Sequence, residues 1–160
     1  MVSLSLWVIG SLKEIYWREA EKEYLKRLSP YAKVEVKEFP DFPSKEGASK
    51  KEEEAVKNKE GEKLLSKLHP NDFVVLLDLG KSQCDSIAFS NLLAEWERKG
   101  KSRIVFIIGG SLGLSEELRK RGNASISLSS LTFTHQMTRI ILLEQLYRAY
   151  KIRNNEPYHK

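Results

Sequence analysis

The segment Arg103-Ile104-Val105-Phe106-Ile107-Ile108-Gly109-Gly110-Ser111-Leu112-Gly113 decides the fold of this 160-residue chain. Its apolar run lacks the polar alternation of a half-exposed strand, so Arg103 to Ile108 reads as a strand covered on both faces of a parallel sheet, ended by glycine. Phe73 to Leu79 reads the same way. Two parallel neighbours need a crossover, and Ser86 to Arg98 has the spacing of the helix that supplies it. Working outward, Val2 to Ile9 is a strand stopped by Gly10. Leu12, Ile15, Tyr16, Ala20, Tyr24, Leu25 and Leu28 then recur at helical spacing until Ser29-Pro30 ends the helix. Val34 and Val36 alternate with charges, as in a half-exposed strand near a sheet edge. Ala124 to Leu128 is a shorter strand, and His135 to Ile152 a long helix for which Thr134 is a suitable N-cap. Ser44 to Lys67, dense in Lys and Glu, reads as mobile in its first half and helical in its second, with Lys50 to Lys63 a solvated face.

Five strands alternating with helices give an α/β domain, residues 1–160, with a mainly parallel sheet and helices on both faces. A ligand then belongs beyond the carboxyl ends of the strands, at Asp78-Leu79-Gly80, at Gly109-Gly110 and at Leu128 to Phe133.

Composition removes several classes. With 41% hydrophobic and 31% charged residues the chain is neither disordered nor membrane-spanning, and its longest uncharged apolar run, Ile104 to Ser115, is broken by three glycines. No basic segment precedes the uncharged N-terminus and no small-residue cleavage site follows it, so a cytoplasmic location is expected. Cys84 alone cannot form an internal disulfide, and one Cys with three scattered His has no zinc spacing. The net charge of +5 favours an anionic partner such as nucleic acid, and residues 135–160 supply +3 of it.

Two phosphate motifs fail on inspection. Gly80-Lys81-Ser82 would need a glycine at position 75, which is Val. Gly109-Gly110-Ser111-Leu112-Gly113 has Ile at position 108 where a dinucleotide fingerprint has Gly, and no acid between Leu118 and Leu143 could hold a ribose. Gly10-Ser11-Leu12 is too meagre for a flavodoxin-type phosphate loop. The paired glycines admit either a ligand against the main chain or merely a tight turn, and the sequence leaves both open. Leu128-Ser129-Ser130-Leu131-Thr132-Phe133 has no charge and suits an uncharged aromatic ring read by backbone groups, or simply links strand to helix. Glu144, four residues before Arg148, is placed for an intrahelical ion pair. The tail Pro157-Tyr158-His159-Lys160 is either frayed polypeptide or a set of groups for stacking on a base and holding a phosphate.

Six motifs occur together: Lys13-Glu14-x-Tyr16-Trp17, Leu77-Asp78-x-Gly80-Lys81, Phe106-Ile107-Ile108-Gly109-Gly110-x-x-Gly113, Leu131-Thr132-Phe133-x-His135-Gln136-x-x-Arg139, Glu144-Gln145-x-Tyr147-Arg148-Ala149 and Pro157-Tyr158-His159-Lys160. In this combination, over its whole length, the chain resembles the ribosomal large subunit methyltransferase H (RlmH) family of the SPOUT class. The resemblance implies a C-terminal trefoil knot, which periodicity does not show and which the usual absence of knots would argue against. It implies an S-adenosyl-L-methionine-dependent enzyme that methylates N3 of a pseudouridine in helix 69 of 23S rRNA, acting on the assembled ribosome as a homodimer. Leu77, Gly109, Leu128, Ser129, Ser130, Leu131, Thr132 and Phe133 would hold the cofactor, and Arg148, Tyr158 and His159 would serve substrate and catalysis. Thr134 stands where the family more often has Pro.

The implied chemistry is an in-line methyl displacement that needs alignment rather than a metal. His159 would take the N3 proton, directly or through water, and Arg148 would stabilise the charge left on the ring oxygens. In a homodimer one subunit's tail would complete the other's site. The apolar positions of the last helix exceed what one sheet face consumes, which points to that helix as interface. A non-catalytic basic ribosome-binding or RNA-binding module is the alternative, and it leaves the glycines and the uncharged loop without a role.

Overall fold

The computed structural model describes residues 1–100 and 102–160. Strands and helices alternate as β1 (Val2–Ile9), α1 (Ile15–Leu28), β2 (Ala32–Phe39), α2 (Lys50–Lys67), β3 (Phe73–Leu77), α3 (Ser86–Lys99), β4 (Ile104–Ile108), α4 (Glu116–Arg121), β5 (Ala124–Ile126) and α5 (His135–Arg153). The sheet runs in the order β2-β1-β4-β3-β5 with every pairing parallel, so the half-exposed β2 is an edge strand and the apolar β4 lies at the centre. All five carboxyl ends therefore reach one side of the sheet.

Side chains alternate across each strand, and the two faces bury separate cores. Leu4, Leu6 and Val8 of β1 join Phe106 of β4, Leu93 and Trp96 of α3, and Leu142, Leu143 and Leu146 of α5. Trp7 and Ile9 face the other way, with Val105 and Ile107, Leu64 of α2 and Leu118 of α4. Helices α1 and α3 both pack against α5 on the first face, while α2 packs against α4 on the second. Each fully buried Leu contributes about 1.5–3 kcal/mol relative to exposure, so α5 is anchored chiefly by burial.

Four helices start on side-chain caps that satisfy free backbone N–H groups. Ser49, Asp85, Ser115 and Thr134 accept from the amides of Glu52, Ala88, Leu118 and Met137 at 3.2, 2.8, 3.3 and 3.3 Å. The Thr134 cap is the one expected from sequence. The cap at Ser49 corrects the reading of residues 44–67: helix begins at Lys50, and within the Lys/Glu run Glu60, Gly61 and Leu64 are buried. The six-residue α4, unread in the sequence, crosses this region, and Gly61 is glycine because a Cβ there would stand 2.3 Å from the Ser115 Oγ. Among the described residues no helix is long and apolar enough to cross a membrane.

Candidate active site

A cavity of about 580 Å³ opens at the carboxyl ends of β3, β4 and β5. The expected residues Leu77, Gly109, Leu128, Ser129, Leu131, Thr132 and Phe133 line it, whereas Ser130 is exposed and is not part of its wall. Asp78, at a strand end expected to face the ligand, lines it too, as do Arg119, Ser127 and His135, which sequence reading missed. Asp78 and Arg119 lie 41 positions apart, on β3's end and on α4, and only the topology brings them together.

The loop after β5 is held by its own hydroxyls. Ser127 donates from Oγ to the Ser129 carbonyl at 2.7 Å, and the Ser129 Oγ accepts from the Leu131 amide at 3.0 Å. The Ser127 N–H donates to the Ser82 carbonyl at 3.0 Å, tying this loop to the segment after β3. These serine hydroxyls are engaged in shaping the loop.

The glycines serve the fold first. A Cβ on Gly109 would come within 2.8 Å of Leu114 Cδ2 and 3.1 Å of the Gly113 carbonyl oxygen, and one on Gly110 would meet Glu60 Oε1 at 3.2 Å. Both contacts are internal. The glycines thus build a tight loop, closed by the Gly113 N–H donating to the Gly110 carbonyl at 3.0 Å, and Gly109 also forms cavity wall. Gly113 itself has φ +90°, open to glycine at little cost.

At the cavity's other side, α5 begins with His135, whose ring lies against Gly10 and whose buried Nδ1 has no hydrogen-bond partner. One turn on, Arg139 is 1% exposed and donates to Glu21 Oε2 at 3.1 Å, Glu38 Oε2 at 2.8 Å and the Gly10 carbonyl at 3.4 Å. Burial raises the Glu21 pKa, and Arg139 opposes that rise.

Arg148, Tyr158 and His159 form a second cluster. Arg148 Nη2 donates to Glu144 Oε1 at 2.5 Å, the ion pair expected from their spacing, and the Tyr158 hydroxyl donates to the same oxygen at 3.0 Å. The guanidinium lies over the Tyr158 ring, 4.6 Å from its centroid, and Arg148 Nη1 reaches His159 Nδ1 at 3.2 Å. Asn155, at φ +53°, reverses the chain after α5, and Tyr158 packs edge-on against Tyr147. The tail is therefore docked rather than frayed. Burial raises the Tyr158 hydroxyl to about 12, helped by Glu144, so it remains a donor. At 1.5 Å per residue, Arg148 lies about 20 Å along the helix axis from His135. Within one chain the cavity and the tail cluster are apart.

Comparison with known proteins places this architecture. A family model described as "Predicted SPOUT methyltransferase" matches residues 2–159. The chain belongs to the SPOUT methyltransferase family. It is 48% identical over 160 residues, the full length of both chains, to a protein of Desulforamulus reducens named Ribosomal RNA large subunit methyltransferase H. A Carboxydothermus hydrogenoformans protein of the same name is 45% identical over 99% of this chain and 100% of its own. In fold, the SPOUT methyltransferase described here is similar to a probable methylase family protein from Haemophilus influenzae Rd KW20, with a TM-score of 0.54 at 10% identity over 98% of this chain and 70% of that one.

Proposed function

We propose that the chain methylates ribosomal RNA of the large subunit, at N3 of a pseudouridine in helix 69 of 23S rRNA on the assembled ribosome, using S-adenosyl-L-methionine. The observation that carries this reading is full-length similarity to relatives named for large-subunit rRNA methylation. The proposed setting is the cytoplasm, and the proposed working form a homodimer with the family's C-terminal knot.

The cavity fits the donor. Its volume lies within the range of small-molecule sites, and its wall around Leu77, Leu128 and Phe133 is apolar, as a purine ring requires. Main-chain groups of Leu128 to Phe133 are left to read the ring edge. When bound, S-adenosyl-L-methionine supplies a methyl group activated by its sulfonium.

The tail cluster supplies the acceptor's chemistry. As long as Arg148, an obligate donor, points at Nδ1 of His159, the neutral ring carries its proton on Nε2 and has no lone pair to spare. Moving the guanidinium to the pyrimidine oxygens frees Nδ1 to take the N3 proton, so charge stabilisation and proton removal act together. Tyr158, stacked under Arg148 and hydrogen-bonded to Glu144, holds that guanidinium in position.

Donor and acceptor must meet at about 3–3.5 Å, which the separation within one chain forbids. A second copy with its α5 antiparallel to the first would bring each tail to the other's cavity. Exposed Leu79, Ile87, Leu131 and Met137 after the strand ends offer the apolar surface for it. On α5, Leu142, Leu143, Leu146, Ala149 and Tyr150 are taken up by the chain's own core, which leaves Met137, Ile140 and Ile141 as that helix's apolar contribution to the proposed interface.

The test is single-turnover methyl incorporation into ribosomes lacking the modification, followed by mass-spectrometric mapping. A methyl on N3 of a helix 69 pseudouridine is expected. Transfer only to free rRNA or to another nucleotide would overturn the substrate, and ribosome binding without any transfer would favour a non-catalytic module.

A further inference from the structure

Among the described residues lining the cavity, Asp78 and Arg119 are the ones with charged side chains. Asp78 is 8% exposed and sits at the end of β3, its N–H donating to the Ile126 carbonyl at 2.9 Å. Its carboxylate accepts from Arg119 Nε at 3.0 Å and Nη2 at 3.4 Å, which fixes the plane of the guanidinium. The third nitrogen, Nη1, donates at 3.0 Å to Glu116, an exposed partner three residues back on the same short helix. Arg119 itself is partly exposed at the cavity rim. One side of this guanidinium is thus bound to a rigid, buried acid and the other to a surface carboxylate that water screens and a ligand could displace.

The proposed donor has a purine and ribose at one end and a zwitterionic amino acid at the other. The purine suits the apolar wall, and the remaining lining offers hydroxyls, an amide and an imidazole but no further fixed charge. A planar guanidinium already held on one side is matched to a carboxylate. We propose that Arg119 anchors the carboxylate of the donor's methionine end, displacing Glu116, while Asp78 holds the guanidinium in position. This rests on the cavity being the S-adenosyl-L-methionine site.

Calorimetry on the intact protein with three ligands separates the possibilities: S-adenosyl-L-methionine, its decarboxylated form, and 5′-methylthioadenosine, which lacks the whole amino-acid end. A charge-assisted contact predicts that the wild type prefers the first over the second by about 10- to 100-fold. Arg119→Met should bring that ratio close to one and leave 5′-methylthioadenosine binding unchanged. Asp78→Asn/Arg119→Met, which strands no buried charge, should behave likewise. An undiminished ratio in Arg119→Met overturns the anchor. So does absence of a preference in the wild type, or equal loss of all three ligands in both variants, since Arg119 would then build the cavity rather than read the carboxylate. Failure of the wild type to bind either S-adenosyl-L-methionine or 5′-methylthioadenosine would instead remove the cavity reading itself.

Discussion

Glu60 presses its carboxylate against the main chain of Gly110, so that a Cβ at Gly110 would stand 3.2 Å from Oε1 and 3.4 Å from Oε2. The acid is 5% exposed, accepts from the Phe42 amide at 3.3 Å and lies beside Asp41. A buried carboxylate thus underlies the loop that forms the cavity wall.

Burial, with Asp41 adding to it against the Phe42 N–H, pushes the Glu60 carboxyl up to about 7 from near 4.5. The folded protein therefore keeps a proton that the unfolded chain releases. Stability from this source is full below about pH 4.5 and is lost as pH rises through about 7. Glu60→Gln should match the wild type near pH 5 and exceed it by about 1–3 kcal/mol at pH 8. Thermal melts across that range check it, and parallel curves would show that Glu60 ionises normally.

Gly109→Ala should destabilise the protein by about 1–3 kcal/mol and weaken donor binding, because its Cβ must displace Leu114 or the Gly113 carbonyl in the cavity wall. Adding Leu114→Ala should restore part of the lost donor affinity by making room. Full affinity in Gly109→Ala alone would mean that the loop yields easily and that the glycine is not required there.

Much of this was legible in sequence, and the limits have physical causes. Apolar runs such as Ile104 to Ile108 announce buried parallel strands because both faces must be covered, and parallel strands bring their carboxyl ends, hence the cavity, to one side. Helix α2 announces itself poorly. Only a narrow edge around Glu60, Gly61 and Leu64 is buried, so little amphipathic pattern is written into it. The Asp78–Arg119 pair left no local signal, since its geometry comes from where β3 and α4 meet. The tail was legible as chemistry but not as a docked element, because Tyr158 packs on a helix turn that spacing does not connect to it.

Arg139→Met should cost about 3–5 kcal/mol, since it strands Glu21 and Glu38 beside each other with the guanidinium gone. The loss should be larger at pH 8 than at pH 5, because burial already raises the Glu21 pKa and removing Arg139 takes away the charge that opposes that rise. Adding Glu21→Gln should recover part of it at pH 8. Equal melting temperatures for wild type and Arg139→Met would contradict the role assigned to this buried cation.

His159→Ala should leave melting temperature and donor affinity unchanged, because His159 is exposed and forms no part of the cavity wall. Single-turnover methylation should fall about 10²- to 10⁴-fold if the imidazole removes the proton. Mixing this variant with one impaired in the cavity, such as Gly109→Ala, should restore activity through pairs that contain one intact site. Absence of recovery, with mixed pairs confirmed by mass spectrometry, would mean that each site draws on a single chain.

Helix α5 is also a ruler. It carries cavity residues on its first turn and Arg148, proposed to face the acceptor, near its far end, with Leu142, Leu143 and Leu146 buried between them. One residue inserted between Arg139 and Leu142 would turn everything beyond it by about 100° and advance it about 1.5 Å, moving Leu142 and Leu146 off the core and the tail off its bearing at once. The spacing is consequently fixed twice, by packing and by reach. Length changes belong in segments such as residues 40–48 before α2, and variation within α5 is restricted to exchange of side chains at unchanged length.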